Sequence, residues 1–124
     1  MSDFLNTFMD DLKTNVAGFI AVSVTEIKTG MSYCSTTVDP SFDPELASAY
    51  NLEVVKAKQS AIKILGLDQQ IDDILITLST QIHIIDISSN GEYFVYLAVD
   101  STKANLGMTR AMLKKYSKDI ASKL

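Results

Sequence analysis

Residues 73–100 read DILITLSTQIHIIDISSNGEYFVYLAVD. Three runs rich in β-branched and aromatic residues, Asp73 to Ser79, Gln81 to Ser88 and Glu92 to Asp100, follow one another closely, and such residues favour strands. Asn90-Gly91, between the last two, is the strongest hairpin signal in the chain. The runs do not alternate cleanly. Ile74-Leu75-Ile76, Ile84-Ile85 and Phe94-Val95-Tyr96-Leu97 put apolar side chains on both faces, so helices must cover both faces of the sheet.

The flanking segments supply those helices and two more strands. Ser2 and Asp3 precede Phe4, Leu5, Phe8 and Leu12, the spacing of a short amphipathic helix with a cap before it, ending near Asn15. Ala17 to Glu26 and Met31 to Thr37 read as strands joined by a turn at Lys28-Thr29-Gly30. Asp43 followed by Pro44 marks a helix start, and Gly66 stops that helix after about Leu65. Past Asp100-Ser101-Thr102, the residues Leu106, Thr109, Leu113, Tyr116, Ile120 and Leu124 give a last helix one inward stripe. The order α-β-β-α-β-β-β-α predicts an α/β fold with a five-stranded antiparallel sheet sandwiched by helices.

The helix from Glu45 to Leu65 carries two apolar stripes where its own core needs one. At about 100° per residue, Leu46, Tyr50, Val54, Ala57, Ala61, Ile64 and Leu65 share a face, and Leu52, Val55 and Ile62 lie roughly opposite. The larger stripe is expected against the sheet. Wheel geometry alone leaves the smaller one open between a second contact surface and scattered surface apolars.

At 124 residues the chain is expected to form one domain over 1–124, and 47% hydrophobic with 21% charged residues describes an ordered protein. A net charge of −4 works against nucleic-acid binding, and Lys114, Lys115, Lys118 and Lys123 read as a solvated helix face. The lone cysteine excludes an intrachain disulfide. The acidic start lacks the charge pattern of a secretory signal, and no apolar run reaches the ~18 residues of a membrane span. A soluble, cytoplasmic protein with no membrane insertion is expected.

No residue pattern points to catalysis. Cys34 and His83 are the only thiol and imidazole, so a Cys-His nucleophile would need both, and the bland reading of each is a core residue. Zinc would need more ligands than these, and Asp10-Asp11 or Asp72-Asp73 read as solvated element ends. The glycines at 18, 30, 66, 91 and 107 never cluster and no Gly-Lys-Ser/Thr occurs, so no phosphate loop is present. Cofactors are therefore not expected. Arg110, the only arginine, could act as a finger beside a GTPase-bound nucleotide, but its place at the margin of the last helix's stripe favours a structural clamp.

The chain resembles the Roadblock / dynein light chain (Roadblock/LAMTOR) family, in particular its bacterial polarity-regulator members. The resemblance rests on Ile74-Leu75-Ile76-Thr77-Leu78, Ile82-His83-Ile84-Ile85, Gly91 to Asp100, and Ala104-Asn105-Leu106-Gly107-Met108-Thr109-Arg110. The last of these is similar to the family's Asn-Leu-Gly-x-x-Arg entry into its final helix. Ile27-Lys28-Thr29-Gly30 departs from the family's acidic-glycine turn. The resemblance implies a profilin-like sandwich with the long helix on one face and the terminal helices on the other. It further implies a non-catalytic, dimeric adaptor or regulator that binds a small Ras-like GTPase, pairing with itself or with a paralogous Roadblock-like chain. Long helices would lie side by side and third strands edge to edge, giving an interface of Leu52, Val55, Gln59, Ile62, Ile74, Ile76 and Leu78. On that basis Leu52→Asp or Val55→Asp is expected to dissociate the dimer. Two alternatives remain: a GTPase activator acting in trans through Arg110, and a small-molecule sensor with a chamber near Ala21, Ser23 and Ala98.

Overall fold

The Asp43 carboxylate accepts hydrogen bonds from the backbone N–H groups of Glu45 and Leu46 at 3.0 and 3.1 Å, and Pro44 fills the first helical turn, where its missing N–H costs nothing. Asn105 caps the last helix in the same way, accepting from Met108 N–H at 3.1 Å. In the computed structural model, which describes residues 3–124, the elements are α1 (Asp3–Asn15), β1 (Phe19–Glu26), β2 (Ser32–Thr37), α2 (Pro44–Ile64), β3 (Asp73–Thr77), β4 (Gln81–Ile87), β5 (Tyr93–Asp100) and α3 (Leu106–Lys123). This is the predicted order. The predicted cap at Ser2 lies outside the described residues, and Gly66, at φ +69°, turns the chain out of α2 in the left-handed conformation.

The five strands form one antiparallel sheet in the order β2-β1-β5-β4-β3, so the central β5 is flanked by β1 and β4 and the edges are β2 and β3. Because the strands are apolar on both faces, each face carries its own core. On one side Leu5, Phe8 and Leu12 of α1 and Leu113 and Ile120 of α3 pack on Val22, Ile84, Val95 and Leu97. On the other, Leu52 and Val55 of α2 pack on Ile85, Phe94, Tyr96 and Ala98. The long helix thus covers one face and the terminal helices the other.

The orientation of α2 reverses the expectation. Leu52 (8% exposed) and Val55 (0%) face the sheet, while Tyr50 (71%) and Ile64 (84%), with Leu46, Val54 and Leu65, face outward. The cause is the fit at the N-terminal half of the helix. Ser48 is buried with its hydroxyl on that of Ser23 in β1, a close approach that only small side chains allow. Four residues on, one helical turn, Leu52 reaches the β1–β2 turn, where a Cβ on Gly30 would lie 3.2 Å from its Cδ2. Counting apolar residues identified two stripes and could not rank them by fit.

With Val55 in the core, Val55→Asp places an unpaired charge in a dry layer and should cost more than about 4 kcal/mol. Circular dichroism should show loss of the cooperative thermal transition, not dissociation of a folded chain; a folded Val55→Asp protein would refute this seating of α2.

Candidate interaction surface

Seen from outside, α2 presents Leu46, Tyr50, Val54, Ile64 and Leu65 to solvent, with Ala57 and Ala61 between them. Beside this stripe runs a groove of about 400 Å³ lined by Val54, Lys58, Ile62, Ile71, Asp72, Asp73 and Ile74. It leads to β3, which hydrogen-bonds to β4 on one side and has no strand on the other. Ile74 and Ile76 are half-buried on the α2 side of this edge strand, and Leu78 is exposed just beyond its end.

Of the residues expected at an interface, Ile62 and Ile74 are brought together in the groove, Ile76 adjoins them on the same sheet face, and Gln59 shares a second cleft with Ile62 and Leu67. Leu52 and Val55 are not available there, because they are inside the chain's own core. The outward residues Leu46, Tyr50 and Val54, which the sequence reading placed inside, face solvent instead.

An ionic staple fixes the start of β3. In the register, Asp73 lies opposite Asp86 on β4, two like charges face to face. Two cations from α3 compensate them. Arg110 donates from Nε and Nη2 to the two Asp73 oxygens at 2.8 and 3.1 Å, and Lys114 Nζ lies 2.6 Å from Asp72 and 2.8 Å from Asp86. Asp86 is almost completely buried, and burial pushes its carboxyl above the usual range against the pull of Lys114. Burial acts to lower the Lys114 ammonium, yet Asp72 and Asp86 together hold it above its ordinary value. Arg110 is therefore a clamp. A bidentate guanidinium–carboxylate pair is a strong charge-assisted contact, and a finger role would require breaking it.

The remaining candidates separate in space. Cys34 lies in the layer under α1 and α3, where burial pushes its thiol up to about 11, whereas His83 lies opposite Ile76 and Ala98 on the α2 side of the sheet. No Cys-His pair can form across the sheet. Asp11 is engaged by Asn15 and Tyr116, and Asp72 and Asp73 by the α3 cations. The positions that suggested a chamber are filled: Ala21, Ser23 and Ala98 are fully buried, Ser23 against Ser48. Among the described residues no helix is long and apolar enough to cross a membrane.

The same architecture occurs in solved structures. Myxococcus xanthus MglB superposes with a TM-score of 0.82 at 16% identity over 95% of this chain and 92% of that one. A Roadblock/LC7 domain from Streptomyces avermitilis gives 0.79 at 11% identity, over 93% and 92%. An MglB with tetrameric arrangement gives 0.77 at 16% identity, over 98% and 90%. The chain thus has the Roadblock/LC7 fold, in agreement with the resemblance read from its motifs. No family model and no curated protein matches the sequence.

The staple has a measurable energy. Lys114→Met should cost about 2 to 3 kcal/mol in urea unfolding, less than for a fully buried pair because a third (33%) of the Lys114 side chain stays in solvent. Adding Asp86→Asn should recover part of that loss by removing the stranded carboxylate. Equal destabilisation by the single and double variants would show that Lys114 does not compensate Asp86.

Proposed function

We propose that this chain is a non-catalytic regulator or adaptor that associates with a second copy of itself through α2 and β3, and in that form binds a small Ras-like GTPase in the cytoplasm. The observation that carries the reading is the self-complementarity of the outward stripe. If two α2 helices meet antiparallel about a twofold axis between Val54 and Ala57, large residues fall opposite small ones. Tyr50 then faces the partner's Ala61, Val54 faces the partner's Ala57, and Leu46 and the partner's Leu65 close the end of the contact. In the proposed dimer the open edges of β3 also meet, which would protect backbone donors and acceptors that a lone sheet leaves exposed. The tetrameric arrangement of one MglB supports assembly as a use of this fold. The GTPase partner is supported by the Roadblock resemblance of residues 74–110.

Leu52 and Val55 leave the proposed interface because they are core residues, and Gln59, Ile62, Ile74, Ile76 and Leu78 stay in it with the outward stripe. Activation in trans through Arg110 is the weaker reading, because Asp73 already holds the Nε–Nη2 edge of the guanidinium.

Sedimentation velocity at micromolar concentration should give a dimer for the wild type and a folded monomer for Tyr50→Asp, which puts a carboxylate into the apolar contact. A wild-type monomer would refute self-association. With a cognate small GTPase, binding should be saturable, and any stimulation of GTP hydrolysis should be unchanged by Arg110→Ala. Loss of stimulation in that variant, with dimer and fold intact, would restore the arginine finger.

A further inference from the structure

Closest to α2 lie β1 and β2, and on the α2-side face of β3 and β4, where Ile85 and Ile87 are covered, Ile74, Ile76 and His83 form a half-exposed shelf. His83 is the chain's single histidine. Its ring is set edge-on between Phe42, at 6.2 Å between centroids, and Tyr96, at 5.3 Å. Both ring nitrogens are engaged. Nε2 lies 2.8 Å from Gln81 Oε1, and Nδ1 lies 3.1 Å from the Tyr96 hydroxyl.

These partners fix the tautomer of the neutral ring. The Gln81 oxygen can only accept, so Nε2 carries the hydrogen and Nδ1 is left as an acceptor for the phenol. The neutral imidazole is thereby satisfied at both ends, and it lets the fully buried Tyr96 donate its only proton. A second proton on Nδ1 would turn the phenol from donor to acceptor, leave the phenol's own proton without this partner, and place a charge on a largely apolar shelf. The titratable groups on the surrounding elements are Tyr96 and Asp100 on β5, the latter opposite Gln81 and accepting from Thr102 N–H and hydroxyl, Asp39 and Asp43 in the segment bearing Phe42, and Lys58 on α2; β3 offers Ile76 directly opposite. None of them supplies a compensating charge, and burial alone holds the imidazole below its ordinary value.

We propose that His83 makes self-association acid-sensitive: the neutral ring lets a second copy cover the shelf, and protonation from solvent drives that copy off. The inference rests on the self-association reading above and adds its regulation. Covering the ring removes further water and disfavours the charged form more in the dimer than in the monomer. The dimer therefore binds fewer protons than two separate chains, and association weakens as the pH falls through the monomer's imidazole titration. Above that range the association is independent of pH. Because each copy contributes one imidazole, dissociation takes up as many as two protons, and the effect on the dissociation constant is squared.

Sedimentation velocity of the wild type, His83→Gln, Tyr96→Phe and Tyr50→Asp at about pH 7.5 and about pH 5.0 tests this, with circular dichroism confirming the fold at each pH. The wild-type dissociation constant should rise at least about tenfold at the lower pH, and that of His83→Gln by less than about twofold. Tyr96→Phe removes the donor that favours the neutral ring, so its dissociation should begin at higher pH. In the wild type, the NMR titration of the single imidazole should also shift to lower pH as protein concentration rises, a readout that needs no variant. A wild-type dimer unchanged between the two pH values, equal weakening in His83→Gln, or a concentration-independent imidazole titration would overturn the latch alone. A wild type already as monomeric as Tyr50→Asp at the higher pH would overturn self-association and the latch with it.

Discussion

The seat of α2 on the sheet is the constraint from which the rest of the surface follows. Ser48 against Ser23 lets the helix come close to β1, and Leu52 and Val55 fill the layer behind that contact. Pro44, Ser48, Leu52 and Val55 are buried, and past Val55 the side chains on this helix turn out to half or full exposure. A helix anchored by its first three turns projects the remainder as a bare rod, and its outward face is the one with the larger apolar area. The feature that suggests a partner is thus a consequence of where the small side chains sit.

The ionic staple solves a second problem created by the fold. A short edge strand held by one neighbour frays easily, and here its first residue also faces a buried like charge on β4. Arg110 and Lys114 sit one turn apart on α3, so both cations reach the same end of β3 from beneath the sheet. An open edge that is rigid can act as a template for another strand, whereas a fraying one must first be ordered. In the proposed dimer the staple contributes in this indirect way, without touching the second copy.

What the sequence made legible was whatever depends on local chemistry or period. Asp43-Pro44, Gly66 and the doubly apolar runs of residues 73–100 determine element order and the burial of both sheet faces, and the fold follows from them. The orientation of α2 was not legible, because it depends on Ser23 and Ser48, residues 25 positions apart whose contact has no local signature. A serine within the smaller stripe was the available clue: a small polar residue there permits close packing, while the large outward residues forbid it. The roles of Asp86 and Lys114 were hidden for the same reason. Nothing local marks the carboxylate at position 86 as buried, and only the register sets it opposite Asp73.

The chain's net charge of −4 makes two copies repel at long range, so contact must be favoured locally where the surfaces meet. Helix α2 meets that requirement. Its first half carries Glu45 and Glu53 and its second half Lys56, Lys58 and Lys63, so the helix is positive in sum and polarised along its length. Antiparallel contact lays the acidic half of each helix along the basic half of the other and opposes their dipoles, while parallel contact would set like against like. The alternation of large and small residues demands the same direction, since Tyr50 finds an alanine at position 61 only if the second helix runs the opposite way. Two independent properties of one helix, its charge gradient and its relief, thus point to the same antiparallel direction for the proposed contact.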